Sequence, residues 1–153
     1  MRILTGILVL TLGLSIGFAT TSSTASAAVQ AKMTEADYDA IMKKVGPTNG
    51  AMQKALKSGA LADGAKGAQQ LAMLFVDVER FWTQYKIKDA MMWAAEAQKY
   101  AKQAAAAAEA GDQMKAVEAA TSLLGDCKQC HGTYRMGSQE AGFSIKPGVL
   151  GAE

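Results

Sequence analysis

Apolar residues recur at intervals of three, four and seven along most of the chain, the spacing of one face of an α-helix. No segment alternates with a period of two over enough residues to predict a strand. Alanine, lysine, glutamine, glutamate and methionine are abundant, and all are good helix formers. The pattern predicts helices over about residues 35–58, 63–85, 89–110 and 113–136. Four helices with short connections pack most simply as an antiparallel up-down bundle, so we expect an all-α fold.

Polar residues at the predicted helix boundaries fit this arrangement. Thr34 followed by Asp37 resembles a capping box, in which the two side chains and two backbone amides bond reciprocally. Ser58-Gly59 is typical of the end of a helix, and Asp112 is typical of a helix start. We therefore expect the first helix to begin after Thr34 and the fourth after Asp112.

The apolar faces of the four helices define the expected core. The first two faces carry large side chains, whereas the third becomes rich in alanine, which permits close helix packing. The expected core residues are Tyr38, Ile41, Met42, Val45, Met52 and Leu56 in the first helix; Leu71, Leu74, Phe75, Val78, Phe81 and Trp82 in the second; Met92, Trp93, Ala97, Tyr100, Ala101 and Ala104 in the third; and Met114, Val117, Ala120, Thr121, Leu124, Cys127, His131 and Tyr134 in the fourth.

The first 27 residues have the pattern of a secretory signal peptide. Arg2 precedes an apolar run, which is followed by small residues ending in Ala-Ser-Ala at 25–27. A membrane anchor is the alternative, but the apolar run stops near residue 19, and a span needs about 20 mostly apolar residues. We predict cleavage after Ala27, leaving one domain over 28–153 with no membrane segment and with an irregular tail over 137–153.

The charge balance is close to neutral. The chain has 16 lysines and arginines and 14 aspartates and glutamates, and the lysines are scattered among the acids, as on a solvated helical surface. A nucleic-acid-binding face would need cations clustered together. We therefore expect no nucleic-acid partner.

Cys127, Cys130 and His131 form a Cys-x-x-Cys-His motif, the attachment signature of a c-type haem. Thiols at positions i and i+3 of a helix share a face, so they can meet the two vinyl groups of one porphyrin, and the adjacent imidazole supplies a nitrogen ligand to the iron. A disulfide or a thioredoxin-like redox pair is the alternative, but no strand pattern precedes the motif. Because His131 is the only histidine, two histidines from one subunit cannot ligate the iron.

The sequence Cys-Lys-Gln-Cys-His-Gly-Thr-Tyr-Arg over 127–135, near the end of the last of four helices, resembles class II c-type cytochromes, the cytochrome c′ family. The segment Ile-Met-Lys-Lys-Val-Gly over 41–46 is also similar to the first helix of that family. The resemblance implies a four-helix bundle with one covalently bound haem c, usually periplasmic and often a homodimer. Two departures bear on propionate contacts and dimer geometry: Tyr38 stands where many members have arginine, and the tail is longer.

The second axial position of the iron has two candidate methionines. In an up-down bundle the end of the last helix lies beside the start of the first and third helices, and a helix rises about 1.5 Å per residue. Met42 therefore lies near the level of His131, with Met92 as its rival. Met42 also matches the distal position of the resembled family, where some members carry a ligating methionine and others leave the iron open. Methionine as core filler is the alternative.

Four further residues are candidate haem contacts. Phe81 and Trp82 belong to the same end of the expected bundle as the haem, and Tyr38 lies one turn before Met42; aromatic rings suit the apolar face of a porphyrin, although ordinary packing is the favoured explanation. Arg135 lies four residues after His131, one helical turn on, where it would offset propionate charge or remain a solvated surface residue.

These features favour a periplasmic one-electron carrier with His131 and Met42 as iron ligands. It would exchange electrons with redox partner proteins and catalyse no reaction. A five-coordinate protein that binds nitric oxide or carbon monoxide is the alternative. A peroxidase is disfavoured, because peroxide cleavage needs a distal base, usually histidine, and the chain has no second one.

Overall fold

A computed structural model describes residues 31–151, and the predicted signal peptide lies outside them. Within this range four helices pack against one another and a short two-stranded hairpin follows them. Each helix boundary lies within two residues of its predicted place. The elements are α1 Glu35–Ser58, α2 Leu61–Tyr85, α3 Lys88–Glu109, α4 Gln113–Tyr134, β1 Arg135–Ser138 and β2 Gly142–Ile145.

The predicted caps of α1 and α4 are confirmed. The Asp37 amide donates to Thr34 Oγ1 at 3.2 Å, and the Thr34 amide donates to Asp37 Oδ2 at 2.8 Å, which completes the capping box. Gly59 ends α1 in the left-handed conformation, with φ of 81°. The Lys115 amide donates to Asp112 Oδ1 at 3.1 Å. Local sequence thus sets where these two helices begin and where α1 stops.

Side-chain hydrogen bonds join the ends of the helices. Gln113 Nε2 at the start of α4 donates to the Leu56 carbonyl near the end of α1 at 2.8 Å. The Tyr134 hydroxyl at the end of α4 donates to Asp89 Oδ1 at the start of α3. Every helix packs along its neighbours in sequence, whereas α1 and α4 contact each other much less extensively. Among the helices that pack side by side, α1 and α4 therefore form the least extensive seam.

The buried core divides into a side of large residues and a side of small ones. α1 and α2 supply most of the large buried side chains, and α3 supplies alanines, which let neighbouring helices approach closely. The largest fully buried side chains are Trp82, Phe81, Met52, Leu56, Leu71 and Leu123. No helix within residues 31–151 is long and apolar enough to cross a membrane.

The predicted apolar face of α4 is partly wrong. Met114 is 83% exposed and Thr121 is exposed, although both were expected in the core. Met92 of α3 is likewise 51% exposed. For Met114 and Thr121 the reason is that α4 turns its small residues towards the alanine-rich α3. This close packing rotates α4 away from the face that its larger residues suggest. The buried residues of α4 are Ala116, Ala119, Ala120, Leu123 and Asp126.

The expected irregular tail instead begins with an antiparallel hairpin. In its register Arg135 pairs with Ile145 and Gly137 pairs with Phe143. Gly137 has φ of 96°, and a Cβ there would lie 2.1 Å from the carbonyl oxygen of Gly142. Only glycine fits this close approach. The helix therefore ends earlier than predicted, and Arg135 lies in β1 rather than one helical turn beyond His131.

The segment after β2 closes the end of α4. Lys146 Nζ donates to the carbonyls of Gly132 at 2.9 Å and of Thr133 at 2.7 Å, which satisfies acceptors that the helix itself leaves open. The Ile145 amide donates to Glu35 Oε1 in the first turn of α1 at 2.9 Å. The hairpin thus bridges α1 and α4 at one end of their seam.

Candidate functional site

A small, mostly apolar cavity of about 40 Å³ lies between the helices, and all four helices line it. α1 contributes Met42, and α4 contributes Cys127, Cys130 and His131. Alanines and larger apolar side chains from the other elements complete most of the wall. The structure therefore brings together the two cysteines, the histidine and the methionine singled out in the sequence.

Both cysteines are half-buried free thiols on one face of α4. Burial raises the pKa of Cys127 to about 11, and burial together with the neighbouring Cys127 raises the pKa of Cys130 to about 12. Both side chains are therefore thiols at neutral pH. A thioredoxin-like redox pair needs the opposite, a thiol whose pKa is lowered so that the thiolate can attack. The electrostatics of this pair do not suit disulfide exchange.

His131 lies one residue after Cys130 and is half-buried. Burial, reinforced by the nearby Arg135 cation, lowers the pKa of its imidazole below the usual value. The ring is therefore neutral at pH 7, which leaves one nitrogen lone pair free to bind a metal.

Met42 alone among the methionines of residues 31–151 lines the cavity. Its rival Met92 is 51% exposed and does not line this cavity. Met52 is fully buried, but it lies outside the cavity wall. Met42 and His131 are therefore the axial-ligand candidates that share one cavity.

Tyr38 lines the cavity and is held by two aromatic neighbours behind it. Its ring stacks on Phe81 with centroids 4.4 Å apart and meets Trp82 edge-on at 5.4 Å. Burial raises the Tyr38 pKa well above its usual value, so the hydroxyl stays neutral. Phe81 and Trp82 are buried but do not line the cavity, and they act here as support for Tyr38.

Arg135 lies outside the cavity. Its guanidinium sits over the ring of Phe143 across the hairpin, 4.1 Å from the ring centroid. This cation–π contact orients the side chain along the hairpin surface. A role of Arg135 beside a haem propionate stays a prediction.

Asp126, a buried carboxyl in the cavity wall, was not predicted from the sequence. It is 6% exposed, and its Oδ2 has no hydrogen-bond partner. Burial, with the Glu96 carboxyl across the helix interface, raises its pKa to about 6. A signal was present, because Asp126 continues the buried row Ala116, Ala119 and Leu123 at spacings of three, four and three.

The chemistry of these side chains fits a covalently bound haem. Two thiols stand one turn apart, a neutral imidazole follows them, and a thioether faces the same apolar space. A porphyrin is much larger than 40 Å³, so a haem would need the walls to separate, and α1 and α4 are the two neighbouring helices that contact each other least. Within residues 31–151, no three His, Cys, Asp or Glu side chains are grouped closely enough to hold a metal ion by themselves.

Comparisons with known proteins identify no relative of this chain. No family model matches it, and no curated protein and no solved structure is significantly similar. The functional conclusion therefore depends on the motif and on the cavity that contains it.

Proposed function

We propose that the chain is an exported, mono-haem c-type cytochrome that carries one electron between redox partner proteins. Haem c is attached through thioether bonds to Cys127 and Cys130, and His131 and Met42 bind the iron. The observation that carries this proposal is that these four side chains line one apolar cavity. The bound haem supplies an iron that gains and loses a single electron.

Three properties of the cavity support covalent haem attachment. The two thiols lie on one face of α4 at the spacing that reaches two vinyl groups of one ring, and both stay protonated rather than reacting as thiolates. The neutral imidazole of His131 is ready to bind iron. The mostly apolar wall suits the faces of a porphyrin, which are themselves apolar.

The helix ends support the antiparallel up-down bundle that the resemblance implies. The start of α4 bonds to the end of α1 through Gln113, and the end of α4 bonds to the start of α3 through Tyr134. Such contacts arise when neighbouring helices run in opposite directions. In this arrangement the haem lies towards the end of the bundle that the hairpin bridges.

Met42 favours electron transfer over catalysis. A thioether is a soft ligand that stabilises ferrous iron and raises the reduction potential. With His131 and Met42 both bound, no coordination site is open to a substrate. The chain has no second histidine to act as a distal base, so we propose that it catalyses no reaction itself.

Residues 1–27 are proposed as a cleaved signal peptide that delivers the domain to the periplasm. The redox partners are then other periplasmic or membrane-bound electron-transfer proteins.

The spin state of the oxidised, purified protein tests the proposal. Low-spin ferric iron with a weak long-wavelength band of sulfur ligation is expected. High-spin ferric iron, with rapid uptake of carbon monoxide by the ferrous protein, would contradict Met42 ligation and would identify the five-coordinate, gas-binding alternative.

A further inference from the structure

Asp126 is a buried carboxyl that has no role in the proposed attachment of haem. It lies beside Cys127 on α4 and more than one helical turn before His131, and it lines the same cavity. Only 6% of its surface is exposed, and Oδ2 has no partner. A buried acceptor without a partner costs free energy, typically a few kcal/mol, so such a group calls for an explanation.

The charged groups that face Asp126 come from α3. The half-buried Glu96 carboxyl opposes ionisation of Asp126 through its charge and through a hydrogen bond to the protonated form, and the exposed Lys99 ammonium favours ionisation more weakly. Burial is the larger influence, and together they raise the Asp126 pKa to about 6. The carboxyl is therefore poised between its two protonation states near neutral pH.

The remaining walls of the cavity bring no charge to Asp126. α1 presents the neutral Tyr38 hydroxyl, and α2 presents Phe75 and Val78. On α4 itself, the nearby thiol of Cys127 and the imidazole of His131 are neutral at pH 7. Within residues 31–151, Asp126 is the one carboxyl that lines this cavity.

We propose that, near neutral pH, Asp126 takes up a proton when the haem gains an electron, so that the chain carries a proton together with the electron. This inference rests on the proposed function. A reduced donor protein supplies the electron that converts ferric to ferrous iron, and bulk water supplies the proton that converts the Asp126 carboxylate to the carboxylic acid. On oxidation by an acceptor protein, the electron and the proton both leave.

The low-dielectric surroundings provide the physical reason. An electron added to the cavity removes one positive charge, and in a buried site an uncompensated change of charge is expensive. Uptake of a proton by Asp126 keeps the net charge of the cavity constant. Linkage is reciprocal: if reduction of the iron raises the proton affinity of Asp126, protonation of Asp126 raises the electron affinity of the iron by the same factor. The reduction potential therefore depends on pH.

The reduction potential of the haem-loaded protein, measured from about pH 5 to about pH 8, tests this inference, because that range brackets the Asp126 pKa of about 6. The potential is expected to fall as pH rises. For each unit by which reduction raises the Asp126 pKa, the reduction potential should fall by about 59 mV in total across this range. For a one-electron couple this is a tenfold loss of electron affinity.

Asp126→Asn is expected to remove most of this fall. Glu118→Gln removes a carboxylate from the exposed side of the same helix and serves as the matched control. Its reduction potential should fall with pH as that of the wild type does. Glu96→Gln should move the fall to lower pH, because it removes the charge that opposes ionisation of Asp126. A pH dependence that persists unchanged in Asp126→Asn would overturn the inference.

Infrared difference spectra of the wild-type protein give a second readout that does not require a variant to fold. Reduction should produce the carbonyl band of a newly protonated carboxyl, which exchange into D2O shifts and which Asp126→Asn should abolish, whereas a band from a haem propionate would remain. A reduced-minus-oxidised spectrum without that band would also overturn the inference. Haem content is measured first, because a chain without haem refutes the proposed function itself, whereas a loaded chain with a pH-independent potential refutes only the role of Asp126.

Discussion

Met42 of α1 and His131 of α4 line one cavity, although they belong to the two neighbouring helices that contact each other least. Separation of α1 from α4 would admit a flat, bulky group between the two candidate ligands without displacing the alanine face between α3 and α4. The hairpin then ties the same two helices together at one end, through the bond from the Ile145 amide to Glu35.

Met42→Ala is expected to change the oxidised protein from low-spin to high-spin, because it removes the thioether and leaves the iron with His131 alone. Met92→Ala is the matched control and should leave the spectrum unchanged, since Met92 is mostly exposed and does not line the cavity. Electron paramagnetic resonance and visible absorption of both variants check this. The reverse pattern, with only the Met92 variant turning high-spin, would assign the ligand to α3.

Leu123→Ala is expected to destabilise the fold by about 2–5 kcal/mol, because Leu123 is fully buried and its truncation leaves a cavity. Met114→Ala on the same helix should change stability by less than about 0.5 kcal/mol, because Met114 is 83% exposed. Chemical denaturation of the two variants gives both values. Equal losses would show that α4 turns the face predicted from its larger residues towards the core.

The stability of the fold should depend on pH through Asp126. Its pKa of about 6 in the folded chain exceeds the ordinary value of 3.8, so protonation favours the folded state. This contribution is fully present below about pH 4 and is lost as the pH rises through about 6. Asp126→Asn should therefore gain stability relative to the wild type over this interval, by at most about 3 kcal/mol at neutral pH. Denaturation at several pH values measures it, and a difference that is constant with pH would contradict the account.

Gly137→Ala is expected to open the hairpin, because the added Cβ would collide with the Gly142 carbonyl and the backbone has a positive φ. The cost should exceed about 1 kcal/mol. Gly50→Ala, inside α1 where an added Cβ meets nothing within 4 Å, should instead gain about 0.5–1 kcal/mol. Hydrogen exchange of the Lys146 amide, which bonds to the Tyr134 carbonyl, reports on the hairpin. Unchanged protection in Gly137→Ala would contradict the close approach.

Local rules predicted much of the fold. Thr34 and Asp37 form the expected capping box because a cap depends on only four consecutive residues. Helical periodicity placed α1 and α2 correctly, since their large apolar residues mark one face. The rotation of α4 could not be predicted in the same way, because alanines carry little hydrophobic contrast and α3 decides which of them become buried.

The part of the candidate site that consists of residues close together in the sequence could be identified from the sequence. Cys127, Cys130 and His131 form such a motif, whereas the burial of Asp126 depends on its packing against α3 and on the Glu96 side chain. The hairpin was missed because its strands are only four residues long and almost wholly exposed, so they show no alternating pattern. The close approach of Gly137 and Gly142 became evident only from the backbone.

The intact mass of the mature protein, measured under denaturing conditions after expression with the machinery for cytochrome c maturation, tests the central claim most directly. The expected mass is that of residues 28–153 plus one haem, with no free thiol left at Cys127 or Cys130. A polypeptide mass lacking only two hydrogens, as a Cys127–Cys130 disulfide without a prosthetic group would give, would contradict it.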